Sequence, residues 1–164
     1  MAEEVNFRLA EPEDAQAVLD LLKQLQLESH TFLVDADLNE ITSEMEADQI
    51  RLIGQSKQNL IALAETSGKL IGIVTVDGVE EAVGELGVAV LSDFQGYTLG
   101  SSLVELAIDW AIHYSTLSQL VLTVFADNLP AVHIYQKYGF ATVKRFSKNH
   151  RQLLKMALAV STEL

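Results

Sequence analysis

The chain has 164 residues, 23 acidic and 11 basic side chains, no cysteine and 49% hydrophobic content. That length and apolar fraction suit one domain, residues 1–164, with a real core, and the missing cysteines exclude disulfides, zinc-thiolate sites and a cysteine nucleophile. A net charge of −12 argues against nucleic acid as a partner, because neutralising phosphates needs a basic surface.

Residues 5–9 alternate around Asn6 and Arg8 and predict a first strand. Pro12 with Glu13 and Asp14 then suits a first helical turn, and Ala15, Val18, Leu19, Leu22 and Leu25 form one apolar stripe ending near Glu28. Residues 31–38 follow neither period and predict a loop, whereas 39–53 read as a second, more acidic helix. Two β-branched, apolar runs, 59–66 and 69–76, flank Ser67-Gly68 and predict a hairpin, with Asp77-Gly78 closing its second strand and a polar connection over 79–84. A fourth strand is expected over 86–91. A glycine-bearing loop, Gln95-Gly96-Tyr97-Thr98-Leu99-Gly100, feeds a helix whose apolar face carries Leu99, Leu103, Leu106, Ala107, Trp110 and Tyr114. A fifth strand over 120–125, a short helix over 128–138 with Pro130 inside its start and Gly139 past its end, and two closing strands over 140–146 and 152–160 complete the order.

No apolar run reaches the ~18–20 residues that span a bilayer, and the first residues lack the basic and apolar regions of an export signal, so the expectation is a cytoplasmic protein with no membrane partner. Charge is uneven. Residues 1–50 hold thirteen acidic and two basic side chains, while 128–164 hold one and six. This is either a solvated acidic face or an acidic mouth that attracts cationic molecules.

The loop at 95–100 precedes a helix N-terminus, where unpaired N–H groups and the positive end of the helix dipole can receive a phosphate that glycine lets close. The known nucleotide fingerprints do not fit, since no Gly-Lys-Ser/Thr follows and G-x-G-x-x-G is absent. Further on, residues 119–140 read Q-L-V-L-T-V-F-A-D-N-L-P-A-V-H-I-Y-Q-K-Y-G-F. Together the two segments resemble the GNAT superfamily of acyl-CoA-dependent N-acetyltransferases, with its loop pattern [Q/R]-x-x-G-x-[G/A] and its later N-x-x-A-x-x-[F/L/I]-Y-x-x-x-G-F. Gln95 and Gly100 match the ends of the first pattern, and Asn128, Ala131, Ile134, Tyr135, Gly139 and Phe140 match the second throughout. The inner loop glycine is Thr98 here. Its Cβ either tightens the approach to the phosphate or is harmless because the helix has already begun.

The resemblance implies an α/β fold, a mixed, mainly antiparallel sheet of six to seven strands with about four helices, splayed between strands 4 and 5. It implies acetyl-CoA as acyl donor, with main-chain groups of Val88, Ala89 and Val90 meeting the pantetheine arm, and Gln95, Gly96, Tyr97, Thr98, Leu99, Gly100 and Ser101 around the pyrophosphate. Asn128 would bond the pantetheine arm or fix the loop, besides capping its own helix. Tyr135 is the implied general acid, since a phenol near pKa ~10 stays protonated at neutral pH. Glu85 matches a position where some members carry a base acting through water, with Glu81 as a second candidate. His30, Phe32 and Asp35 fall where the family covers its acceptor. No metal is expected, and His113 and His133 read as structural. The implied activity is direct acetyl transfer in a ternary complex to a primary amine, a small cationic one on the charge argument. A protein N-terminus or lysine as acceptor, a non-catalytic acyl-CoA sensor, and a homodimer all stay open at this point.

Overall fold

The computed structural model describes residues 4–28, 37–95 and 98–161. Its spine is a seven-stranded sheet ordered β1-β2-β3-β4-β5-β7-β6. The strands are β1 (Asn6–Leu9), β2 (Leu60–Thr66), β3 (Lys69–Glu80), β4 (Val83–Val90), β5 (Gln119–Phe125), β6 (Ala141–Lys148) and β7 (Arg151–Ala159), and the helices are α1 (Ala15–Glu28), α2 (Ser43–Gly54), α3 (Leu99–Tyr114) and α4 (Leu129–Lys137). Every neighbouring pair is antiparallel except β4 and β5, which run parallel.

The two faces of the sheet differ in side-chain size. A Cβ added to Gly72 would meet Leu103 of α3 at 3.1 Å, so Gly72 and its same-face partners Ala64 and Val90 look toward α3. Small residues there let the helix approach closely. Leu63, Ile73 and Ile61 alternate to the opposite face and are also buried. Parallel strands need a crossover, and crossovers are right-handed, so α3 between β4 and β5 and α4 between β5 and β6 lie on the same face. Their contact agrees: Gly100 of α3 sits 3.8 Å from Ile134 of α4, measured from an ideal Cβ.

At the first turn of the chain, Arg8 on β1 reaches both carboxylate oxygens of Asp14 at 2.7 and 2.8 Å and Glu65 of β2 at 3.1 and 3.2 Å. Asp14 in turn accepts from the Glu11 N–H at 2.8 Å, so one guanidinium ties strand, helix start and neighbouring strand together. Its hydrogen bond holds the Asp14 carboxyl below the ordinary aspartate range.

Several boundaries differ from the expectation. The second helix begins at Ser43, because Thr42 is extended and its hydroxyl accepts the Met45 N–H at 3.1 Å, while 38–40 form a separate 3-10 turn. Asp77-Gly78 does not end β3. The Asn59 side chain takes the Gly78 N–H at 2.9 Å, and the strand continues with a bulge to a tight turn at Glu81 and Ala82. Tyr114, expected on the apolar stripe of α3, is 70% exposed, and Val104 and Ala111 are buried instead.

Candidate active site

The parallel ladder between β4 and β5 holds only three residue pairs, Val83 with Gln119, Gly84 with Leu120 and Glu85 with Val121. Beyond Glu85 the strands part, although β4 stays paired to β3 through Val90 and β5 stays paired to β7 through Phe125. The result is a wedge-shaped gap with a strand edge on each side. Backbone groups alternate in direction along a strand. The Leu91 N–H donates to Ile71 of β3 at 2.9 Å, so Leu91 and Ala89 turn their main chain toward β3, and Val88 and Val90 turn theirs into the gap. The expectation that Ala89 offers free backbone groups is thereby corrected. Val90 is also partly committed, because the Gln95 amide donates to its carbonyl at 3.0 Å. Val88 is the residue whose N–H and C=O both face the opening.

The loop after β4 starts from buried Leu91 and a 3-10 turn, Ser92–Phe94. Glu28, the last residue of α1, accepts from the Ser92 N–H at 3.0 Å and its hydroxyl at 2.9 Å, which lowers the Glu28 pKa and fastens the end of α1 to the start of the loop. Gly96 and Tyr97 lie outside the described residues. Thr98 is the residue before α3, at φ 64° and ψ 11°, in the left-handed region. The helix therefore has not begun at Thr98, which removes the reason its Cβ could be harmless and leaves the tighter approach to the phosphate, and a β-branched residue there is strained. The Ser102 N–H closes the first turn on the Thr98 carbonyl at 3.0 Å, leaving the N–H groups of Leu99, Gly100 and Ser101 without intrahelical acceptors. Gly100 has no positive φ, and its nearest Cβ contact is 3.8 Å away. Packing does not call for a glycine there.

On α4, Asn128 makes no side-chain cap, contrary to expectation. Its φ and ψ are −82° and 71°, and its own carbonyl receives the Val132 N–H at 3.0 Å. The side chain is thus left for other partners. Tyr135, two turns on, is buried, with its ring edge-on to Phe140 at 5.9 Å. Desolvation pushes its phenol up to about 12. Its hydroxyl has no hydrogen-bond partner among the described residues. As no buried side-chain polar atom there lacks one, this hydroxyl reaches an accessible opening. Ser101 is buried in the first turn of α3. Its hydroxyl is 3.1 Å from the Tyr138 hydroxyl, which also meets Glu105 at 3.3 Å, so it pins α3 to α4 and leaves only its N–H for the loop.

Glu85 is exposed at the vertex of the gap, directly opposite Asp77 on β3. Asp77 gave no local signal in the sequence, because its place follows from the strand continuing past it. Still open to solvent, its carboxyl is raised by partial desolvation. Glu81, the alternative base, sits in the turn at the far end of β4, away from the opening. His30, Phe32 and Asp35 lie outside the described residues. His113 and His133 lie on the helices, the former 3.4 Å from Asp109.

An opened strand edge, a bare helix start and a phenol on the following helix define a coenzyme-A-dependent acyltransferase fold. The sequence matches the profile of the acetyltransferase (GNAT) family over residues 19–140, and the chain belongs to that family. Among its relatives is the L-amino acid N-acetyltransferase AaaT of Escherichia coli K12, 27% identical over 141 residues that make up 84% of this chain and 83% of that one. A GNAT-family acetyltransferase from Streptococcus pneumoniae superposes with a TM-score of 0.88 at 29% identity, covering 96% of this chain and all (100%) of the other. The structure of yncA from Salmonella typhimurium with its cofactor acetyl-CoA shares the fold at a TM-score of 0.81 and 16% identity, over 98% and 96% of the two chains. The protein is an N-acetyltransferase with acetyl-CoA as its donor substrate.

Proposed function

We propose that this cytoplasmic enzyme acetylates the primary amine of a small molecule by direct transfer within a ternary complex. The observation that carries the reading is the unpaired main chain of Val88, turned into a gap whose vertex bears Glu85. A pantetheine arm laid there would add a short strand to β4, while the N–H groups of Leu99, Gly100 and Ser101 receive the diphosphate and the Asn128 amide bonds the arm. The amine of the acceptor enters as an ammonium ion, to which the two carboxylates at the vertex, Glu85 and Asp77, are complementary. Glu85, directly or through water, takes its proton. The free lone pair attacks the thioester carbonyl, and the developing oxyanion needs a backbone donor, for which the Val88 N–H is the nearest in kind. As the C–S bond breaks, Tyr135 gives its proton to the departing thiolate and recovers one from solvent. Burial supports this role, because a phenol held near 12 is fully protonated at working pH.

The relative named for L-amino acids supports an acceptor of small size. The test is thiol release from acetyl-CoA with a panel of small amines, followed by initial rates at varied concentrations of both substrates. Intersecting double-reciprocal lines are expected. Parallel lines, or recovery of an acetylated protein from a reaction without acceptor, would refute direct transfer.

A further inference from the structure

The face of the sheet opposite α3 and α4 carries a second pattern that spans three strands. Glu85 is in register with Val121, Val121 shares its face with Thr123 two residues on, and Thr123 is in register with Lys155 of β7. Glu85 and Lys155 therefore project from the same face on either side of β5. Both are exposed, and Lys155 makes no ion pair with any described residue. On the acidic side Asp77 stands directly opposite Glu85, a like-charged cross-strand pair that destabilises the strands unless a cation joins it. Next along β4 on this face comes Gly87, exposed and without a side chain, so the ground beside the two carboxylates is open toward the gap.

We infer that the acceptor is a zwitterion, carrying a carboxylate close to its amine, and that Lys155 receives the carboxylate while Glu85 and Asp77 receive the ammonium. The dimensions agree. Two strand spacings of ~4.8 Å and a two-residue offset set the Cα atoms of Glu85 and Lys155 roughly 12 Å apart. An α-amino acid held at both ends by contacts of about 3 Å needs some 9 Å between the protein charges, within what the two side chains span as they lean inward. A polyamine fits this face less well, because its second charge would meet Lys155. The vertex carboxylates then select the amine, and Lys155 acts as the specificity-determining residue.

This inference rests on the acetyl-transfer reading, and one assay separates the two. Wild-type enzyme is given L-amino acids and, for each, its decarboxylated amine, for example L-phenylalanine with phenethylamine and L-leucine with isoamylamine. For accepted pairs, kcat/KM should favour the amino acid by at least tenfold. Lys155→Met keeps most of the stem and removes the charge. It should bring that ratio to about one by raising KM for the amino acid, with KM for the amine and the acetyl-CoA Kd unchanged within twofold. Lys155→Arg should restore the preference. The inference is overturned if wild type prefers the decarboxylated amines, or if Lys155→Met weakens both series alike. If neither series releases thiol while acetyl-CoA still binds, transfer to small amines fails first, and the inference with it.

Discussion

Thr98 offers a test in which strain and binding can be read from one substitution. At φ 64° its Cβ crowds the following carbonyl, which for an L-residue costs about 1–2 kcal/mol. Thr98→Gly removes that cost but gives the unfolded chain more freedom, worth roughly 0.5–1 kcal/mol in the other direction. The net gain expected is about 0.5–1 kcal/mol, or some 1–4 °C in Tm for a chain of this size. Thr98→Ala is the control, because alanine keeps a Cβ at the same positive φ and should gain little. Thermal melting without ligand reads the strain directly. Repeating the melts with acetyl-CoA reads the site, since a ligand that binds only the folded state raises Tm by mass action. The glycine variant should show an acetyl-CoA shift at least as large as wild type, as the N–H groups of Leu99 to Ser101 become easier to reach. If the glycine variant melts no higher than the alanine variant, the left-handed conformation is not costing what its geometry implies. If its ligand shift collapses, the threonine side chain is itself a binding group and the reasoning fails.

Tyr135→Phe keeps the buried ring against Phe140 and removes a hydroxyl with no protein partner among the described residues, so Tm should hold while kcat falls by ~10²–10⁴-fold with acetyl-CoA affinity intact. A wild-type kcat with chemistry rate-limiting would assign the proton to another donor. Because the Tyr135 phenol is held near 12, the acid should remain competent to pH 10 in kcat profiles. Below pH 10 both folded and unfolded chains keep this proton, whereas between 10 and 12 the unfolded chain loses it first and stability should decline. Gly100→Val should abolish the acetyl-CoA melting shift while leaving the ligand-free fold in place, since the nearest neighbour of its Cβ is 3.8 Å away. Arg8→Met should destabilise by about 1–2 kcal/mol at pH 7 through the loss of a bidentate clamp. As the Asp14 carboxyl is held below its ordinary value, that difference should be present above pH ~4 and shrink as acid protonates it, measured by denaturant unfolding against pH.

Periodicity and local chemistry made most of the architecture legible. The stripe from Ala15 to Leu25, the Ser67-Gly68 turn with both residues at positive φ, and Gly139 at φ 99° behave as their residue types suggest. The errors arose where a distant side chain overrode a local signal. Asp77-Gly78 reads as a stop, yet Asn59, nineteen positions away, satisfies the Gly78 N–H and lets the strand run on. Asn128 reads as a cap because its type favours one, but at φ −82° and ψ 71° its side chain makes no cap hydrogen bond. Which of Val88, Ala89 and Val90 faces the gap depends on the pairing of β3, and Lys155 enters only through the register of three strands. No window of sequence contains that information.

The partial ladder between β4 and β5 also bears on throughput. Three residue pairs join the two halves of the sheet there, and on the proposed reading most of what would grip the donor, the N–H groups of the helix start and the Val88 carbonyl, would meet the diphosphate and pantetheine rather than the acetyl group. Substrate and spent coenzyme present those same parts. An enzyme that grips the shared portion of both holds its product almost as firmly as its reactant, so departure of free coenzyme becomes a natural bottleneck. Its rate in a cell would then follow the ratio of acetylated to free coenzyme A rather than the level of acetyl-CoA alone.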